Sequence, residues 1–185
     1  MPHPLEATLN APAADIMEAI SKGFRAQADV KGKLAELYFS RLLDGLQARG
    51  IVDRYEWFDK DGKPDFVIHA GAKVLVVEVK NIRSGTEKRF AGQLAGIVEI
   101  QKTRNGTDAQ GNKTRGYRVD HFDLLAACLF NQTGRWEFRF AESGTLTTRE
   151  SDSNILEIYQ PVVYAGNAVW SSDLEAIIRA ALLKK

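Results

Sequence analysis

The sequence predicts a β-sheet flanked by helices, of the α/β or α+β class. Three observations support this: a helical pattern comes first, a run of strand patterns follows, and a second amphipathic helix ends the chain. With 185 residues, of which 44% are hydrophobic and 26% charged, the composition is ordinary for a globular protein with a substantial core. We therefore expect a single domain over residues 1–185, with a loosely held Pro- and Ala-rich segment at residues 1–12.

The first half of the chain predicts two helices and three strands. Residues 14–24 form a possible short helix, and apolar residues at helical spacing predict a longer one from about Lys31 to Arg49, ended by Gly50. Alternating and aromatic residues predict a strand within 51–59. Two further strands, DFVIHA and KVLVVEVKN, are separated only by a short glycine-containing turn, so they predict a tight hairpin.

The second half is less regular. The basic, glycine-containing segment RSGTEKRFAGQLAG predicts a loop or a frayed helix, and IVEIQKT a strand. A polar loop follows over residues 104–118. HFDLLAACLF is typical of a strand or a buried helix, GRWEFRFA of a strand, and ILEIYQPVVY of a late strand whose pairing Pro161 restricts. The last fifteen residues, SSDLEAIIRAALLKK, predict a capped helix.

The central hairpin carries charged residues within apolar strands. Side chains alternate across a strand, so Glu78 and Lys80 project together from one face of KVLVVEVKN, while the opposite face is purely apolar. The preceding strand returns antiparallel, and Asp65 is about as far from the turn at Gly71 as Glu78 is. We therefore expect Asp65, Glu78 and Lys80 to converge.

Two carboxylates and a lysine at one place suit metal-assisted hydrolysis of a phosphodiester. Carboxylates are hard oxygen ligands for Mg²⁺, which polarises phosphate and helps to generate hydroxide from water. A lysine beside that water can orient it and offset charge on the phosphoryl oxygens. The alternative is a solvated ion pair between Glu78 and Lys80 on an edge strand, which leaves Asp65 unexplained.

Pro64-Asp65, twelve intervening residues and Glu78-Val79-Lys80 together resemble the PD-(D/E)xK motif of restriction-endonuclease-like nucleases. The resemblance covers roughly residues 30 to 140 and implies a restriction-endonuclease-like central mixed β-sheet flanked by helices. It implies Asp65, Glu78 and the Val79 carbonyl as ligands of one or two Mg²⁺ ions, with Lys80 as the catalytic lysine.

Two further sets of residues bear on this site. The resemblance implies a glutamate on the helix before the sheet as an additional metal ligand, and Glu36 fits that place, although it is equally suited to pairing with Lys33 or Arg41. Some relatives carry (D/E)xQ in the catalytic strand, so Glu99 and Gln101 are an alternative to Glu78 and Lys80. We prefer Glu78 and Lys80 because of the Pro-Asp hairpin.

Positive charge is concentrated after the proposed site. Lys80 to Arg118 contains nine Lys or Arg residues and three acids, a net +6 against +1 for the whole chain. Such residues contact phosphates and can also reach base edges, although a plain solvated loop would have the same composition. The predicted DNA-binding residues are Gln101, Lys102, Arg104, Lys113, Arg115 and Arg118.

The resemblance and the charge distribution predict a Mg²⁺-dependent endodeoxyribonuclease acting on double-stranded DNA, most simply a type II restriction endonuclease working as a homodimer. A Holliday-junction resolvase or repair nuclease of the same fold, a non-catalytic nucleic-acid-binding module, and a protein-interaction domain remain open. Cys128 is alone, so no internal disulfide forms, and we expect it in the core and the protein in a reducing compartment. The absence of a signal-peptide pattern and of a membrane-spanning segment favours the cytoplasm.

Overall fold

The computed structural model describes residues 3–60, 62–101 and 116–183, and over these it has an α/β fold. The chain divides into two compact units, Met1–Leu34 and Ala35–Lys185. The described residues contain five α-helices: α1 (Pro4–Leu9), α2 (Ala13–Lys22), α3 (Phe24–Ala48), α4 (Phe130–Thr133) and α5 (Leu174–Leu183). They contain ten strands: β1 (Arg54–Trp57), β2 (Phe66–Ala70), β3 (Lys73–Asn81), β4 (Lys88–Phe90), β5 (Gln93–Glu99), β6 (Leu124–Cys128), β7 (Phe138–Glu142), β8 (Thr148–Arg149), β9 (Asp152–Leu156) and β10 (Tyr159–Val163).

The first unit is helical. Residues 1–12 were expected to be loosely held, and the structure has α1 within them, beginning at a cap in which the His3 ring accepts a hydrogen bond from the Leu5 amide. The helix expected from about Lys31 begins earlier, at Phe24. No helix among the described residues is both long and apolar enough to cross a membrane.

The second unit contains a five-stranded mixed sheet in the order β1-β2-β3-β6-β7. β3 and β6 run parallel, and the other neighbours run antiparallel. All five residues of β6 are buried, so this strand has no alternation that separates it from a buried helix, which is why the sequence left both open. The prediction of an α/β protein with a mixed sheet flanked by helices is confirmed.

The two faces of this sheet are covered differently. On one face, Phe39 and Leu43 of α3 and Ile178 of α5 pack against sheet residues such as Phe66 and Val77. On the other face, a second apolar cluster joins the sheet to a small three-stranded sheet in the order β10-β5-β4. β3 is therefore covered on both faces, and this explains why its apolar residues are so nearly continuous.

The segment RSGTEKRFAGQLAG was predicted to be a loop or a frayed helix, and this is wrong. It forms the antiparallel hairpin of β4 and β5, in which Phe90 pairs with Gln93 across a turn of Ala91 and Gly92. Both turn residues have positive φ, +48° and +80°, as a type I′ turn requires. An Ala at the first of these positions is unusual, since left-handed backbone is normally adopted by Gly, Asn or Asp. The sequence therefore did not predict this turn.

The expected late strand is also two strands. β9 and β10 replace the one predicted over residues 155–164, and Pro161 lies within β10, opposite Ile97 of β5. Because β10 is at the edge of its sheet, the missing Pro161 N–H is not needed for pairing.

Candidate active site

The hairpin of β2 and β3 places three charged residues together. Phe66 pairs with Val77, so Asp65 precedes β2 at the level where Glu78 follows in β3. The two-residue turn, in which Gly71 has φ +54°, sets this register. The alternation expected for β3 is present: Val77 and Val79 are buried in the cluster under α3 and α5, and Glu78 and Lys80 project to the other face.

The Lys80 ammonium lies at the centre of the cluster. Its Nζ is 2.8 Å from Glu78 Oε2, 3.1 Å from Asp65 Oδ2 and 3.2 Å from the Val79 carbonyl oxygen. The same Asp65 oxygen accepts a hydrogen bond of 2.8 Å from the Val79 amide. This backbone bond fixes Asp65 against β3 at the point where Glu78 and Lys80 project.

The cluster is largely withdrawn from water. The side chains of Glu78, Asp65 and Lys80 are 8%, 21% and 27% exposed. Burial raises the pKa of the Glu78 carboxyl, the Lys80 ammonium opposes that effect, and the Asp65 carboxylate adds to it, with a net shift upward. Burial alone would lower the pKa of Lys80, but Asp65 and Glu78 outweigh it and raise that pKa, so the ammonium stays charged.

The donor set fits a compact cation. Asp65, Glu78 and the Val79 carbonyl are the three groups that the resemblance assigns to Mg²⁺. All three contact the Lys80 ammonium, so their oxygens already converge on one positive charge. Hard oxygen donors of this kind are those that Mg²⁺ prefers. Among the described residues, no three His, Cys, Asp or Glu side chains are grouped to hold a metal ion, so the set here is two carboxylates and one carbonyl.

Tyr117 is a member of this site that the sequence did not identify. It lies near the end of the segment predicted to be a polar loop, residues 104–118, and its phenol hydrogen-bonds to the Glu78 carboxylate. Burial and the adjacent Glu78 raise the pKa of Tyr117, so the hydroxyl remains protonated and donates. Its ring packs edge-on against Phe122, and its carbonyl accepts a hydrogen bond from the Leu156 amide, so both ring and backbone are fixed. No local pattern indicates this contact, since it depends on how the chain returns to β3.

Glu36 lies on the buried side of α3 and bonds to a neighbouring strand. Its Oε2 accepts a hydrogen bond of 2.8 Å from the Trp57 indole, and the Trp57 ring stacks on Phe66, the residue after Asp65. The side chain is therefore oriented by β1. Its role as a metal ligand stays a prediction.

The alternative pair, Glu99 and Gln101, forms contacts of its own. Glu99 accepts an ion-pair contact of 3.0 Å from Arg83, and the Gln101 amide donates to the same carboxylate. Asp65 hydrogen-bonds to the backbone and side chain of β3 instead, which favours Glu78 and Lys80.

The predicted DNA-binding residues are only partly described. Lys102, Arg104, Lys113 and Arg115 lie outside the described residues. Arg118 is half exposed and ion-paired with Asp120 at 3.1 Å, and Gln101 is half-buried beside Glu99. DNA contact by any of the six stays a prediction.

Comparison with protein-family models gave no match, and neither did comparison with curated proteins. Among solved structures, the bacterial homing endonuclease I-Ssp6803I is similar, with 15% sequence identity and a TM-score of 0.49, over 85% of this chain and 97% of that chain. This similarity is too distant to assign the chain a family or a function.

Proposed function

We propose that this protein is a Mg²⁺-dependent endodeoxyribonuclease. The observation that carries the proposal is the contact of the Lys80 ammonium with three oxygen donors, those of Asp65, Glu78 and Val79, at 2.8–3.2 Å. Burying two carboxylates and an ammonium is costly, and functional sites are where such groups are retained.

Each residue has a role that follows from its position. Asp65, Glu78 and the Val79 carbonyl would hold the ion, with Glu36 as a candidate for a further ligand. When bound, Mg²⁺ would polarise the phosphate and make its bound water more acidic. Lys80 keeps its proton beside the carboxylates, so it can donate a hydrogen bond to the attacking water and offset charge on the phosphoryl oxygens. Tyr117 holds the Glu78 carboxylate in one orientation.

We also propose that the substrate is double-stranded DNA cut at defined sequences, as by a type II restriction endonuclease. Two strands require two cuts, and a homodimer supplies two sites related by a twofold axis. The basic region from Lys80 to Arg118 supports a polyanionic substrate.

The test is cleavage of plasmid and phage DNA by the purified protein in Mg²⁺ and in EDTA. We expect the protein to cut DNA in Mg²⁺ and not in EDTA. We expect Lys80→Ala to reduce the cleavage rate about 100-fold or more. Lys73→Ala is the matched control, because Lys73 lies at the opposite end of the same strand. If Lys80→Ala cuts as fast as the parent, the site is assigned wrongly.

The products separate the related functions. Discrete fragments from linear DNA support a restriction enzyme, whereas selective cutting of four-way junctions identifies a resolvase. Binding without cutting, unaffected by EDTA, would identify a non-catalytic module and end the nuclease proposal.

A further inference from the structure

The β4–β5 ribbon (Lys88–Glu99) is a second structural feature beside the candidate active site. Every residue from Lys88 to Leu94 is exposed, including the apolar Phe90 and Leu94. A short exposed strand with basic and aromatic residues contributes little to a core. Its surface is therefore available for a partner.

The ribbon is joined directly to the catalytic strand. Beyond Lys80 the chain continues to Ile82, which bridges Val98 of β5 antiparallel, and the Arg83 amide donates to the Ile97 carbonyl at 2.9 Å. The antiparallel direction brings the Glu99 end of β5 toward Lys80 and carries the turn at Ala91 away from it.

The approach of the ribbon to β3 is close. At Gly96 an added Cβ would lie 2.6 Å from Cγ2 of Ile82 and 2.4 Å from the Tyr164 hydroxyl. Only a glycine allows this contact, so the position of the ribbon relative to the site is defined by packing rather than by a flexible tether.

The ribbon presents positive charge and hydrogen-bonding groups. Register places Lys88, Phe90 and Gln93 on one face, and Arg89 with Leu94 on the other. Arg89 is tied to the turn by a 2.8 Å bond to the Gly92 carbonyl. Lysine and arginine meet phosphates, and glutamine can reach the edge of adenine.

We propose that the β4–β5 ribbon enters the major groove of duplex DNA next to the scissile phosphate. The major groove admits a two-stranded β-ribbon. Gln93 lies five positions before Val98, so at about 3.3 Å per residue the tip lies roughly 17 Å from the bridge to Ile82, about five base pairs of DNA. This inference rests on the proposed function, since it takes the substrate to be duplex DNA.

The experiment measures binding separately from cleavage. A fluorescent mixed-sequence DNA duplex in EDTA is titrated with the parent and with the Lys88→Ala/Arg89→Ala double variant over a range of salt concentrations. Loss of two phosphate contacts makes the slope of log K against log salt less negative by about 2. Lys73→Ala is the control and leaves the slope unchanged, since Lys73 lies at the far end of β3.

A second measurement tests the groove. Parent protein protects guanine N7, which faces the major groove, from methylation, and the double variant loses part of that protection. An unchanged salt slope or unchanged protection in a double variant that is as stable as the parent overturns the ribbon inference.

The two proposals fail in different ways. If the parent cuts DNA and the double variant binds as the parent does, the ribbon inference alone falls. If the double variant has a smaller salt slope than the parent but the parent never cuts DNA, the nuclease proposal falls and the ribbon inference stands. If the parent binds no duplex, both fall.

Discussion

The β2–β3 hairpin (Phe66–Asn81) and the β4–β5 ribbon are both antiparallel pairs closed by two-residue turns, and they use charge in opposite ways. The first lies between two apolar clusters, and its charged groups contact one another. The second has an exposed tip, Lys88 to Leu94, where Lys88 and Arg89 face solvent.

The difference shows what burial does to a charge. In the hairpin, low exposure strengthens the interaction of Lys80 with Glu78 and Asp65, so the pKa values of Lys80 and Glu78 respond to their neighbours. On the ribbon, water screens the charges of Lys88 and Arg89, so they contribute little to the stability of the fold. They remain free to interact with an external polyanion. This contrast supports the two proposals, in which the first hairpin carries the catalytic residues and the ribbon contacts the substrate.

The largest expected difference between the two hairpins concerns a pair of phenylalanines. Phe66 of β2 is fully buried, and the centroid of its ring lies 4.9 Å from that of Phe39. Phe90 of β4, by contrast, is 46% exposed. Phe66→Ala should lower the free energy of unfolding by about 3–5 kcal/mol, and Phe90→Ala by no more than about 0.5 kcal/mol. Urea denaturation measures both. Similar losses would mean that the ribbon is part of the core and the comparison fails.

Two lysines sharpen the comparison next. In EDTA, Lys80→Met should lower the free energy of unfolding by about 2–3 kcal/mol, because it leaves Glu78 and Asp65 buried without their cation. Lys88→Met should change it by less than about 0.5 kcal/mol.

Addition of Mg²⁺ extends this test. It should restore the thermal midpoint of Lys80→Met more than it raises that of the parent, since an ion that binds the folded state stabilises it. The same midpoint for Lys80→Met with and without Mg²⁺ would argue against a cation site at these oxygens.

A smaller effect is expected at Tyr117. Tyr117→Phe keeps the ring against Phe122 and removes the hydrogen bond to Glu78. Hydrogen bonds to charged groups contribute about 1.5 kcal/mol or more, so the Mg²⁺ concentration for half-maximal cleavage should rise about tenfold, with a smaller change in the rate at saturating Mg²⁺. Tyr159→Phe is the control, because Tyr159 is exposed beside Arg83. Equal effects of the two variants would remove Tyr117 from the site.

The smallest effect concerns the turns. Ala91→Asn should stabilise the protein by about 0.5–1 kcal/mol, since asparagine tolerates the left-handed backbone at φ +48° better than alanine does. Ala72→Asn, in the turn before β3 where φ is negative, should give no gain. A thermal midpoint that rises equally in both would contradict the assignment of strain to Ala91.

The same contrast explains what the sequence could and could not predict. The β2–β3 hairpin was predictable because its strands are apolar, Gly71 occupies a recognisable turn, and the charged residues interrupt an otherwise hydrophobic pattern. β4 has only three residues, and all are exposed, so it lacks the alternation of apolar and polar residues that predicts a strand. Its partner β5 pairs on its other side with β10, far along the chain, and no local pattern indicates that contact.

The site was predictable to the same degree. The spacing of the residues was enough to predict that Asp65 lies near Glu78 and Lys80, because a tight turn fixes which residues of the two strands pair. The Tyr117–Glu78 and Trp57–Glu36 hydrogen bonds join segments that are far apart in sequence. Contacts of that kind leave no recognisable pattern in a single sequence.

Gly96 sets different limits on change in the two parts of this surface. A single added methyl at that position would collide with the side chains of Ile82 and Tyr164, so these side chains or the ribbon would have to shift. The outward side chains of the ribbon, by contrast, support almost none of the interior. Under the two proposals, variants that keep glycine at position 96 could exchange those side chains and change the DNA sequence they contact without altering the residues around Lys80.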